Sequence, residues 1–140
     1  MSPRILGIDV GEARIGLALS DELGMLAHPL ETILVKEGKA VKRVAAIVRR
    51  EKTATVVIGL PRNMNGTYGP AAEKVREFAA KLQALVPCEV KFWDERLTTV
   101  AAQRSLHEAG RNTKNSRAVI DQVAAQLILQ GYLDSQALQG

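Results

Sequence analysis

Apolar residues fall into short dense runs at the start of the chain and into spaced, helix-like patterns later on. Residues 4–9 and 14–20 carry Ile5, Leu6, Ile8 and Ile15, Leu17, Ala18, Leu19 around a glycine-containing turn, which predicts two strands of a hairpin. A third strand is expected near 26–34, "LAHPLETIL", and Pro29 makes it an edge strand or a bulged one, because proline cannot donate to a ladder. From 39 to 51, Val41, Val44, Ala45, Ile47 and Val48 recur at helical spacing between basic residues. The continuous run "ATVVIGL", 54–60, is the kind of strand that α/β sheets bury on both faces. A loop leads to a helix over 70–86, with Pro70 suited to its first turn. "CEVKFW", 88–93, is the next strand. Helices over 98–109 and 117–133 complete the chain, with Gly110 as a stop signal between them. The order βββαβαβαα predicts a single α/β domain over residues 1–140, with a mixed five-stranded sheet flanked by helices.

That order puts several acids in one place. The first strand ends on Asp9, and a charge there costs desolvation unless it is paired, hydrogen-bonded or bound to a cation. βαβ crossovers make strands 1, 4 and 5 parallel neighbours, and the fifth strand also runs into acids, Asp94 and Glu95. Ligands of open α/β sheets bind at the C-terminal edge of such strands. Asp121 lies in the first turn of the last predicted helix, in a stripe with Ala124, Ala125 and Ile128 that can face the sheet. Carboxylates gathered this way repel one another unless a divalent cation offsets them, and oxygen ligands suit Mg²⁺ or Mn²⁺. Such ions activate water and stabilise the leaving oxygen of a phosphodiester. Each acid also has a plainer role: Asp9 as a cap on the turn toward Gly11, Asp94 and Glu95 as the start of a solvated loop, and Asp121 as a partner of its helix dipole.

Charge and composition narrow the partners. The 140 residues carry a net charge of +4, and with 46% hydrophobic and 24% charged residues they have the balance of a globular domain rather than a disordered one. Basic residues cluster at 36–52, where Lys36, Lys39, Lys42, Arg43, Arg49, Arg50 and Lys52 face only Glu37 and Glu51, and at "RNTKNSR", 111–117. Both can neutralise phosphates, and both read equally well as solvated surface. The single cysteine, Cys88, excludes an internal disulfide or a cysteine-rich zinc site and suits a reducing compartment. His28 and His107 are too far apart in sequence to suggest a zinc motif. No apolar run approaches membrane-spanning length and no leader pattern is seen, so a cytoplasmic location is expected, without membrane partners.

Four blocks in order, "IDVGEARIGLALSD" (8–21), "VIGLPRNMNGTYGP" (57–70), "DERLTT" (94–99) and "RAVIDQVAAQLILQGYL" (117–133), resemble the signature blocks of the bacterial Holliday-junction-resolvase-like, or YqgF-like, family of pre-16S rRNA nucleases. The resemblance implies a ribonuclease-H-like fold, metal-dependent phosphodiester cleavage with Mg²⁺ or Mn²⁺, and a role in maturing a ribosomal RNA precursor. It places the catalytic metal ligands on Asp9, Glu95 and Asp121. Asn65 stands where the family loop usually has Asp, and Thr67 where it often has Ser, which removes an acid from that loop. Gly59, Gly66 and Gly69 would let backbone amides approach phosphates. Arg14, Arg62, Arg96, Lys114 and Arg117 are the candidate nucleic-acid contacts, with Arg14 alternatively orienting a carboxylate. Trp93, beside the acids, either stacks on a base or belongs to the core. Precursor RNA is the favoured substrate and branched DNA the alternative, acted on by a monomer or weak homodimer. Two other classes compete. The Asp9–Gly11 hairpin also resembles the phosphate-binding hairpin of actin-like ATPases, which need a second such domain, and a non-catalytic RNA-binding module would keep the fold without the chemistry.

Overall fold

The computed structural model describes residues 4–61, 65, 67–94 and 116–139. Strands β1 (Arg4–Val10), β2 (Arg14–Ser20) and β3 (Ala27–Leu34) come first, followed by a 3₁₀ turn, Val35–Glu37. Helix α1 (Ala40–Arg50), strand β4 (Thr53–Leu60), helix α2 (Pro70–Gln83) and strand β5 (Glu89–Asp94) follow, and the long helix α3 (Ser116–Gln139) ends the chain. The element bounds agree with the sequence expectations to within a few residues, except that α3 runs on to Gln139. The helix expected over 98–109 lies outside the described residues.

One mixed sheet in the order β3-β2-β1-β4-β5 organises these elements. The first three strands are antiparallel, while β1–β4 and β4–β5 are parallel. β4 therefore separates β1 from β5, so the two strands that run toward acids are next-but-one neighbours. Pro29 accounts for two features together: β3 is an edge strand, and the register slips where Leu17 opposes Glu31 but Ala18 opposes Pro29, leaving Leu30 as an extra residue.

Side-chain alternation divides the core in two. Leu6, Ile8, Val56, Ile58 and Leu60 point to the face covered by α1 and α2, where they meet Val44, Ile47, Val75, Phe78 and Leu82. Ala18 and Val57 point to the other face, under Ala125, Ile128, Leu129 and Tyr132 of α3. β4 is buried on both faces because it is central and helices lie on each side. Cys88 is half-buried at the foot of β5, and burial pushes its thiol above the usual range, as suits a packing residue. Among the described residues no helix is long and apolar enough to cross a membrane.

Candidate active site

Asp9 is the penultimate residue of β1, two positions beyond Gly7 and therefore on the same face. That face belongs to α3: a Cβ added at Gly7 would lie 2.7 Å from Leu129 Cβ and 3.0 Å from the Ala125 carbonyl. Directly across the ladder from Asp9 is Gly16, and a Cβ there would overlap the backbone carbonyl of Asp121. The helix thus rests on two glycines, and the second contact sets Asp121 beside the strand position that opposes Asp9. Paired residues of antiparallel strands have Cα atoms about 4.5–5.5 Å apart, so Asp9 and Asp121 flank the same spot on one face of the sheet.

α3 is held at that height by a ladder of glutamines spaced four residues apart, which puts them on one side of the helix. Gln122 Nε2 donates to Thr32 Oγ1 at 3.1 Å, and Gln126 Nε2 to the Ala27 carbonyl at 2.9 Å. Gln130 accepts from the Ala27 amide at 2.9 Å and donates to the Met25 carbonyl at 2.9 Å. The two bonds to Ala27 satisfy backbone groups of the edge strand that no further strand covers. The sequence signal was present as Gln122, Gln126 and Gln130, but without a fold it reads only as a polar stripe.

Arg14, the first residue of β2, donates from Nε to Asp121 Oδ2 at 2.7 Å, a short charge-assisted bond between side chains that are 28% and 20% exposed. This is the carboxylate-orienting position among the two alternatives for Arg14. Because α3 starts at Ser116, Asp121 sits in the second helical turn rather than the first, where the helix dipole has largely faded. The interaction with Arg14 accounts for its placement instead.

The remaining candidates separate by face and by position. Asp94 opposes Leu60, whose side chain lies in the α1–α2 core, so strand parity directs Asp94 away from the Asp9 face. Trp93 opposes Gly59 and is on the α3 face, packed against the α3 cluster and edge-to-face with Tyr132 at 6.1 Å between ring centroids. That contact belongs to the core reading of the tryptophan. Lys91, on the same face, donates to the Tyr132 hydroxyl at 3.3 Å, which holds its ammonium pKa above the usual value. The basic helix α1 covers the opposite face, and its Arg43 is engaged in a two-point pair with Glu31, both bonds 2.9 Å. Asn65 serves its own loop: its side-chain oxygen accepts from the Thr67 amide at 3.1 Å and from the Thr67 hydroxyl at 2.6 Å. Glu95, Arg62, Arg96 and Lys114 lie outside the described residues. Arg117 is in α3, in the portion whose backbone alone is described.

Oxygen-only donors on one rigid face suit a hard divalent cation better than a soft metal. Asp9 and Asp121 are two such donors. Among the described residues no group of three His, Cys, Asp or Glu side chains that could hold a metal comes together.

Comparison with known proteins agrees with this architecture. A Halalkalibacterium halodurans protein, provisionally named as a pre-16S rRNA nuclease, is 48% identical over 97% of this chain and 99% of its own length. A Moorella thermoacetica protein of the same name is 54% identical over 98% and 99%. Among solved structures, Thermus thermophilus RuvC in complex with a Holliday junction substrate superposes with a TM-score of 0.60 at 19% identity, covering 96% of this chain and 97% of RuvC. A second T. thermophilus RuvC structure gives 0.55 at 17%, covering 96% of each chain. At those identities the likeness concerns the fold, which is ribonuclease-H-like. Residues 3–135 match the family described as RuvX, Holliday junction resolvase, and the chain belongs to that family.

Proposed function

We propose that this protein is a divalent-metal-dependent nuclease that hydrolyses phosphodiester bonds in precursor 16S ribosomal RNA, in the cytoplasm. The observation that carries the reading is the position of Asp9 on the α3 face at the C-terminal edge of β1, across the ladder from Gly16, against which the Asp121 backbone rests; this is the edge at which open α/β sheets bind their ligands. The substrate follows from the relatives at 48% and 54% identity, whose name is that of a pre-16S rRNA nuclease.

In this reading Asp9 and Asp121 hold the metal together with Glu95, the residue after Asp94. Asp94 belongs to the other face, and Glu95 is the acid that the family resemblance assigns to the metal. Mg²⁺ or Mn²⁺, when bound, supplies an activated water and charge stabilisation at the leaving oxygen. Arg14 orients the Asp121 carboxylate through Oδ2. Lys114 and Arg117, just before Asp121 in sequence, together with Arg62 and Arg96, neutralise substrate phosphates, so the protein binds RNA in a salt-sensitive way.

The test is cleavage of a precursor 16S RNA fragment and of a four-way DNA junction by wild type and Asp9→Asn, with Mg²⁺ or Mn²⁺ and with chelator. RNA cleavage that chelator stops and Asp9→Asn abolishes, with an unchanged circular dichroism spectrum, is the expected result. Undiminished turnover by Asp9→Asn would sink the metal-site assignment. Preference for the junction would transfer the assignment to DNA resolution, and binding without any cleavage would leave an RNA-binding module.

A further inference from the structure

Helix α1 turns its apolar residues inward and its charge outward. Val44, Ala45, Ile47 and Val48 are buried against the sheet face away from Asp9. Lys42, Arg43, Ala46, Arg49 and Arg50 are exposed, and the helix carries no acid along its length. Lys42, Ala46 and Arg49 stand at i, i+4 and i+7, so the two cations share one line on the helix surface, about 10 Å apart. Lys39, exposed at the start of the helix, lengthens the row to about 15 Å. Arg43 is paired with Glu31 and Arg50 with Glu51, whereas among the described residues Lys39, Lys42 and Arg49 have no ion-pair partner.

The direction of this row follows from its two ends. Just before α1, the Val35 amide donates to the Ala13 carbonyl at 3.0 Å and Leu34 pairs with Arg14, which puts the Lys39 end beside the turn that follows Asp9. Just after α1, Glu51 accepts from Arg4 at 3.3 Å, at the start of β1. The row therefore begins at the sheet edge where Asp9 lies and runs down the far side of the sheet.

Unpaired cations in line on a rigid helix are complementary to a polyanion with regularly spaced charges. A nucleic-acid duplex carries one charge about every 1.7 Å of its axis, so a row of about 15 Å faces several phosphates at once. No aromatic side chain stands among the exposed residues of α1, so the face lacks a stacking platform for unpaired bases and suits the paired form, which is recognised through phosphates and shape. The apolar side of α1 is buried in the core, which leaves nothing on the helix to insert into a membrane. We propose that the exposed face of α1 anchors a paired stem of the substrate RNA and leads its end over the sheet edge to Asp9. This role rests on the reading of the protein as a nuclease acting on precursor RNA.

The test compares the full-length protein with the variant carrying Lys39→Gln, Lys42→Gln and Arg49→Gln. Retention of a fully paired RNA stem on filters is measured at several salt concentrations. The slope of log K against log salt should fall by about 0.7–0.9 for each phosphate no longer neutralised, hence by about 2–3 for the three side chains. An unpaired RNA of the same length should keep its slope. In cleavage, the variant should raise KM for a substrate with a paired stem beside the cut and leave kcat unchanged, while a short unpaired substrate keeps both. If wild type cleaves neither substrate, the nuclease reading fails, and the stem-binding slopes still decide the role of α1. An unchanged slope for the stem or an equal fall for the unpaired RNA would overturn the proposal. So would displacement of the stem by poly-glutamate or by phosphatidylglycerol vesicles as effectively as by unlabelled stem, which would give the face to an acidic protein or to a membrane.

Discussion

Replacing Gly16 by alanine probes the contact on which the placement of Asp121 rests. The added methyl would overlap the Asp121 carbonyl, a backbone atom that cannot rotate aside, and would press on the Gln122 amide at 3.0 Å. α3 must therefore withdraw by about 1 Å or more to restore van der Waals separation. Overpacking of this kind costs about 1–3 kcal/mol, from which about 0.4–1 kcal/mol is recovered because alanine restricts the unfolded chain. A net loss of about 1–2 kcal/mol corresponds to a melting point lower by roughly 3–10 °C in a chain of this length. The same displacement moves Asp121 relative to Asp9, and an error of about 1 Å in a reacting constellation costs on the order of a hundredfold in rate. Gly38→Ala is the control. Gly38 has φ +72° and nothing within 4 Å of an added Cβ, so alanine there is strained by about 1 kcal/mol but leaves α3 where it is. Urea denaturation, thermal melting and RNA cleavage are measured for both variants. If Gly16→Ala melts within a degree of wild type and cleaves at the wild-type rate, α3 does not rest on β2 as described and the reasoning fails.

Three other outcomes follow from specific interactions. Arg14→Gln removes the partner of Asp121 at a partly shielded site and should cost about 1–2 kcal/mol in urea unfolding, with slower cleavage from a carboxylate that is no longer oriented. Asp21 caps the β2–β3 turn by accepting from the Met25 amide at 2.8 Å and the Leu26 amide at 3.3 Å, and these bonds, Met25 first, hold its carboxyl below the usual value. A lowered folded-state pKa gives stability that is present above the ordinary carboxylate range and lost as pH falls through the lowered value. Asp21→Asn should therefore lower stability at pH 7 and flatten the acid side of a stability-versus-pH curve, measured by urea unfolding across that range. Lys114→Ala with Arg117→Ala should lower the slope of log K against log salt for RNA binding by about 0.7–0.9 for each phosphate no longer neutralised, measured by filter binding at several salt concentrations.

Much of the architecture can be read from residue patterns because period and punctuation are local. The apolar run of 54–60 marks a strand covered on both sides, Pro29 marks the edge and the bulge, and Pro70 opens α2. Asp9 is conspicuous for the same reason: a buried strand that ends on an acid carries its question in its own sequence. What residue patterns leave open is which groups share a face. Parity decides that Asp94 turns from Asp9, and parity depends on pairing register, where a slip of one residue exchanges every side chain between faces. The side of the sheet to which the basic helix α1 is carried is a property of the crossover rather than of Lys42 or Arg43. Asp121 depends on tertiary packing most of all. Its neighbours in sequence are Val119, Ile120, Gln122 and Val123, none of them charged, while the groups that locate it, Gly16 and Arg14, are 105 and 107 residues away in the chain. Helical spacing could assign it to the sheet-facing stripe, but the depth at which α3 settles comes from missing Cβ atoms at Gly7 and Gly16 and from glutamines bonded to an edge strand, interactions that exist only once the sheet has formed.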